Sequence, residues 1–171
     1  IQDILDALNE LGVKAVSLNK RDKGCPPIKI ISGGIKGGIT HLKGSKSSQY
    51  FSSLLISSPY ANNDITIKNI GKISSKPYIN ITIKIMNDFG VKVENNNYEI
   101  FKIKVNQKYK AREYLIEGDY SNASYFFAAA AITNGKIKVM NLNPNSVQGD
   151  MVFLDILEKM GCKIIKGENY I

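Results

Sequence analysis

The chain has 171 residues, 43% of them hydrophobic and 22% charged, with a formal net charge of +8 at neutral pH. A chain of this length buries a real core as one domain or as parts of two, and it carries neither an apolar run approaching a membrane span nor a signal-peptide pattern. Its basic excess is nearly all lysine, scattered along the chain with Arg21 and Arg112 as the only arginines, so a solvated surface is expected and not a nucleic-acid footprint. Cys25 and Cys162 are far apart and make no Cys-x-x-Cys, which argues against a zinc site or a disulfide framework and for a reducing cytoplasm. His41 has no acid or nucleophile motif beside it and is expected to be structural. The sequence opens at Ile1, already inside an amphipathic pattern, and is expected to be a piece of a longer protein.

Ile1, Ile4, Leu5, Leu8 and Leu11 recur at helical spacing up to Gly12, and Val13–Val16 follows as a strand. Cys25-Pro26-Pro27 forces extended backbone ahead of a strand over Ile28–Ile31. Gly33–Gly38 lacks the Gly-Lys-Ser/Thr ending of a phosphate-binding P-loop and is expected to be a flexible turn. A strand near Ile39–Leu42 precedes a helix over roughly Ser48–Ser57, and Asp64–Ile70 alternates as a half-buried strand. Ser74–Tyr78 starts a helix with proline in its first turn and an inner stripe of Tyr78, Ile81, Ile85 and Phe89. Gly90 ends it, and strands are expected at Val91–Val93 and Tyr98–Val105. After the polar connection Gln107–Glu113 come a strand at Tyr114–Ile116 and an alanine-rich helix at Tyr125–Ile132. A strand at Lys136–Leu142, a helix opened by Asn145–Asp150 and a strand at Cys162–Ile165 complete the chain.

The segments repeat. Tyr50-Phe51 and Tyr125-Phe126 both lie near a helix start, Leu11-Gly12-Val13-Lys14, Phe89-Gly90-Val91-Lys92 and Met160-Gly161-Cys162-Lys163 all close one, and Asn97-Tyr98 is echoed by Asn169-Tyr170. The unit is strand, helix, strand, helix, strand, strand, and the chain holds the tail of one unit, one whole unit and most of a third. Within the whole unit two helix starts are serine-led: Gly44-Ser45-Lys46-Ser47-Ser48-Gln49-Tyr50-Phe51 and Ser75-Lys76-Pro77-Tyr78. Free N–H groups, the helix macrodipole and serine hydroxyls suit such starts to an oxyanion. Each taken singly is equally an ordinary serine N-cap. Together, with a lysine and an aromatic beside them, they point to a phosphate-and-ring site.

Four stretches, Gly44–Tyr50, Ser75–Ile79, Glu117–Phe126 and Asn145–Asp150, resemble the enolpyruvylshikimate-phosphate synthase family in order and spacing, and the likeness runs from Ile1 to Ile171. The resemblance implies an α/β (α+β) fold built of repeated βαβαββ units, part of an inside-out α/β barrel of two lobes with the active site between them. It places 1–116 in the later part of one lobe and 117–171 at the start of the second, with the crossover marked by Gly118-Asp119. The activity implied is transfer of the carboxyvinyl group of phosphoenolpyruvate to the 5-hydroxyl of shikimate 3-phosphate, by addition and then elimination of phosphate, with no metal or organic cofactor. By motif, Ser47, Ser48, Gln49, Ser75 and Tyr78 would hold shikimate 3-phosphate, and Gln49 would also reach phosphoenolpyruvate. No catalytic residue is assigned within the chain, and Asp119 serves equally as a helix cap. The parent protein is expected to be a cytoplasmic monomer acting on small molecules, without nucleic-acid or membrane partners, and this chain alone is expected to show no turnover.

Two other readings compete. The sister family that modifies UDP-N-acetylglucosamine uses a loop cysteine, for which Cys25 is the candidate, but Cys25 sits in a Pro-Pro loop and the serine-led pair fits a shikimate site better. A basic RNA-binding α/β module would share the architecture and the charge, and would show a steep salt dependence.

Overall fold

A computed structural model describes residues 1–171. Its contacts divide the chain into two units, Ile1–Arg112 and Glu113–Ile171. No helix is long and apolar enough to cross a membrane.

The first unit opens with α1 (Gln2–Glu10) and a hairpin of β1 (Lys14–Ser17) and β2 (Ile28–Ile31). Then follow β3 (Gly38–Lys43), α2 (Ser48–Ser57), a short 3-10 turn (Ser58–Tyr60), β4 (Ile65–Ile70), α3 (Lys76–Asp88), β5 (Glu94–Asn96) and β6 (Ile100–Ile103). The last four strands form one sheet in the order β3-β4-β6-β5, with β3 parallel to β4 and the other pairs antiparallel. In register, Thr40 faces Ile67 and Ile67 faces Phe101, so side chains two apart share a face. That face is closed: Thr40, Leu42, Ile65, Ile67, Phe101 and Ile103 are all buried. Phe51 and Leu55 of α2, Ile79 and Met86 of α3, and Ala7 and Leu11 near α1 join the same core. Phe51 meets Phe101 edge-on, with ring centroids 5.6 Å apart.

In the second unit, α4 (Tyr120–Ile132) and α5 (Val152–Lys159), the latter preceded by a 3-10 turn at Gly149–Met151, pack around Tyr120, Phe127, Leu142, Leu154, Leu157 and Ile171.

The repeated glycine has a physical meaning. Gly12, Gly90 and Gly161 all sit at positive φ, of 82°, 91° and 96°. The residue after each donates its N–H five residues back, Val13 to Leu8, Val91 to Met86 and Cys162 to Leu157. This is the left-handed helix stop that lacks a Cβ penalty only for glycine.

Several expected elements differ. The inner face of α3 is Ile79, Ile83 and Met86, whereas Tyr78 and Ile85 are exposed. Apolar residues occupy adjacent helix positions here, so spacing alone left two faces open and the sheet chose between them. Val91–Val93 is not a strand, because the side chain of Gln107 accepts from Lys92 N–H and donates to its carbonyl, occupying that backbone. The alanine-rich helix starts at Tyr120, ahead of Tyr125, because Asp119 caps it there. Tyr114–Ile116, Lys136–Leu142 and Cys162–Ile165 form no named strand; Val139–Asn141 pairs only briefly with Asn169–Ile171, around an isolated bridge of Met140 with Tyr170.

Candidate functional site

The parallel pairing of β3 and β4 places the two serine-led helix starts at one end of the sheet. Lys43 pairs with Ile70, so both strands leave the sheet side by side and each turns into its helix. The two turns are joined: Ser74 donates its backbone N–H (3.2 Å) and its hydroxyl (3.3 Å) to the Gly44 carbonyl, and Gly44 N–H donates to Ile70. Only glycine fits at 44, since a Cβ there would lie 2.5 Å from both Asn69 Oδ1 and Ile73 Cγ1. Further along, α2 packs on α3, and the hydroxyls of Ser52 and Thr82 meet at 2.7 Å. The two N-termini are thereby held as neighbours aimed the same way.

At the start of α2, Ser47 is the N-cap and accepts from Gln49 N–H at 3.1 Å. Ser48 is buried and Gln49 is exposed. At the start of α3, Ser75 occupies the N-cap position without any side-chain cap bond, and Pro77 leaves the first turn with one N–H fewer. Tyr78 is 56% exposed, next to the fully buried Ile79 on the same helix. One helix start therefore spends its serine on itself and the other leaves its serine free. Both present partial positive charge to the same end of the sheet.

The lysine that the sequence placed beside the second start is turned elsewhere. Lys76 Nζ lies 4.6 Å from the centre of the Tyr98 ring, and the Tyr98 hydroxyl donates to Asn80 Oδ1 at 2.8 Å. Sequence reasoning missed Tyr98, Asn80 and Ser74 here. The repeated Asn-Tyr pair was the available signal for Tyr98, whose echo Tyr170 also lies under a lysine, with Lys138 Nζ 3.6 Å from its ring centre.

In the second unit the remaining two motifs bind each other. The Gln148 side chain accepts from Tyr120 N–H and donates to Glu117 and to the Gly118 carbonyl. Ser146 also donates to Glu117, and Ser121 to Asp150. Asp119 caps α4, accepting from Ser121 N–H at 2.9 Å. Burial raises the Tyr120 phenol above its ordinary range, and the nearby Glu117 carboxylate adds to that. These bonds fix the start of α4 and tie it to the turn ahead of α5. His41, in β3, contacts Glu10 across 31 positions, so an acid does lie beside it once the chain folds. Cys25 is exposed.

These features belong to a repeated α/β fold. An EPSP synthase from Acinetobacter baumannii superposes with a TM-score of 0.71 at 20% identity, covering 99% of this chain and 37% of that one. The enolpyruvyl transferase NikO from Streptomyces tendae gives 0.67 at 12% identity, covering 99% and 40%. A family model for EPSP synthase (3-phosphoshikimate 1-carboxyvinyltransferase) matches residues 1–171, and the chain belongs to that family. A 3-phosphoshikimate 1-carboxyvinyltransferase from Haemophilus influenzae (strain PittEE) is 51% identical over 172 residues, which cover all of this chain and 39% of that protein. One from Sulfurovum sp. (strain NBC37-1) is 49% identical, covering 100% and 40%. The chain thus spans about two fifths of the length of these relatives.

Proposed function

We propose that this chain is part of a cytoplasmic, monomeric 3-phosphoshikimate 1-carboxyvinyltransferase and supplies one wall of its shikimate 3-phosphate site. Residues 1–116 form the later part of one lobe and 117–171 begin the other. Ser47, Ser48 and Ser75 contact the phosphate, Tyr78 lies along the ring, and Gln49 reaches both the ring and phosphoenolpyruvate. The whole protein moves the carboxyvinyl group of phosphoenolpyruvate onto the 5-hydroxyl of shikimate 3-phosphate and releases phosphate. This wall binds and orients the acceptor.

The observation that supports this most directly is the junction of the two helix starts. Ser74 and Gly44 tie them together, and Ser75 keeps its hydroxyl uncommitted. A dianionic phosphate meets two helix N-termini and several hydroxyl donors there, which favours the charged form without a metal. In the family member that carries this chain, Ser75→Ala is expected to raise KM for shikimate 3-phosphate and leave KM for phosphoenolpyruvate near its starting value. Unchanged KM for both substrates would sink the assignment. Phosphate-release assays on the 171-residue chain alone are expected to show no turnover.

A further inference from the structure

The start of α3 lacks the fastening that a helix of its kind ordinarily has. Ser75 makes no cap bond and Pro77 carries no N–H, so the first turn has no side-chain cap of its own. Tyr98 is well placed to hold it. It sits in the turn between β5 and β6, where Glu99 N–H donates to the Asn96 carbonyl and both central residues are left-handed, Asn97 at φ 50° and Tyr98 at φ 61°. Asparagine adopts that conformation readily, whereas a bulky residue there is a true outlier. The contacts of Tyr98 account for it. Its N–H donates to Asn95 Oδ1, its ring meets the fully buried Phe101 edge-on at 6.4 Å, its hydroxyl bonds Asn80, and Lys76 lies over its face. It therefore links the core directly to the first turns of α3.

We propose that Tyr98 is a positioning residue for the shikimate 3-phosphate wall: through Asn80 and Lys76 it ties the first turns of α3 to the core, so that Ser75 is held in place without a cap bond and its hydroxyl is left for the substrate. The proposal deepens the assignment of Ser75 as a substrate contact and rests on it. Lys76 then acts through Tyr98 and makes no phosphate contact of its own. The arrangement resolves a conflict in the sequence, where a lysine next to a phosphate-binding serine reads as a direct ligand.

The test titrates shikimate 3-phosphate into the 171-residue chain by NMR, alongside amide exchange over Tyr78–Thr82. Tyr98→Leu is expected to weaken binding about tenfold and Tyr98→Phe, which keeps the packing on Phe101, by a smaller factor. Exchange over Tyr78–Thr82 should rise in both while the core amides of Phe51 and Leu54 keep their rates. Lys76→Met should weaken binding modestly in the parent chain and not at all in a Tyr98→Leu background, because both changes break one link. A Lys76→Met penalty of equal size in both backgrounds would make Lys76 a phosphate contact and overturn the proposal. Ser75→Ala separates the two ideas. If it leaves the titration unchanged, the substrate assignment fails. Parent-like exchange over Tyr78–Thr82 in Tyr98→Leu would overturn the positioning role whatever the titration shows.

Discussion

Sequence echoes such as Asn97-Tyr98 and Asn169-Tyr170 run through both units, yet the first has a finished sheet and the second does not. In the first, Ile67 pairs with Phe101 and Ile65 with Ile103, and all four side chains are buried. In the second, Val139 and Ile171 exchange both N–H···O bonds, as a paired couple in a ladder does, and Asn141 N–H reaches the Asn169 carbonyl, but the pairing extends no further than these few residues. Ile137, two residues before Val139 as Ile65 is before Ile67, stays 44% exposed. A cavity of about 710 Å³ opens between Phe127 and Leu157 of the two helices and the stretches around Ile137 and Ile164. Both helices of the second unit are nonetheless complete. Helical hydrogen bonds close within a segment, whereas a strand exists only when a neighbour supplies its partners.

Removing one apolar side chain from each unit tests this difference most strongly. Phe101→Ala takes a fully buried ring out of the first core and is expected to cost about 3–5 kcal/mol. Ile137→Ala, at a half-open position beside the cavity, should cost under about 1 kcal/mol. Urea unfolding followed by far-UV circular dichroism, with amide exchange to assign the loss to a unit, reads both. Comparable losses would mean that the second unit is as tightly packed around Ile137 as the first is around Phe101.

The helix starts offer a smaller contrast. Asp119 caps α4 by accepting from Ser121 N–H, and Asp119→Ala is expected to cost about 1 kcal/mol in the second unit. Ser75 stands at the same position of α3 without such a bond, so Ser75→Ala should change stability by less than about 0.5 kcal/mol. The same unfolding experiment compares them. A Ser75→Ala loss as large as that of Asp119→Ala would return Ser75 to an ordinary cap and remove the case for its free hydroxyl.

What was legible in the sequence follows the same division between local and distant partners. The helices, their glycine stops and the alternation of β4 are set by residues within a turn or two, and they were readable from spacing. The junction of Gly44 with Ser74 was not, because it depends on β3 and β4 pairing in parallel and delivering both turns to one end. Nor was the destination of Lys76, since Tyr98 lies 22 residues on and enters through a hairpin. The motif Asn145–Asp150 was visible as a motif, but its work of holding Glu117, Gly118 and Tyr120 through Gln148 appears only in three dimensions. The choice of Ile79 over Tyr78 for the inner face of α3 likewise waited on the sheet.

The outer edge of the finished sheet adds the smallest and most pH-sensitive contrast. β3 is an edge strand, and its His41 N–H is bonded by Glu10 Oε2 at 2.7 Å, while the His41 ring lies 3.3 Å from the same carboxylate. A side chain from α1 thereby covers a backbone donor that would otherwise be open to another strand. Partial burial works to raise the Glu10 pKa, but the neighbouring Thr40 hydroxyl, the hydrogen bonds from His41 and the charge of His41 outweigh it and hold the carboxyl below its ordinary value. A carboxyl depressed on folding stabilises the folded state above its unfolded pKa, and that contribution is lost as pH falls through the folded value. With the Glu10 side chain 43% exposed, solvent screening keeps the effect near that of a surface pair, so Glu10→Gln should lower the stability of the first unit by about 0.5 kcal/mol or less at neutral pH. The gap between parent and variant should narrow with added salt and close below the carboxylate range, while the second unit, which lacks this clamp, stays unaffected by the substitution throughout. A gap that persists at low pH would show that Glu10 holds β3 through packing and not through its charge.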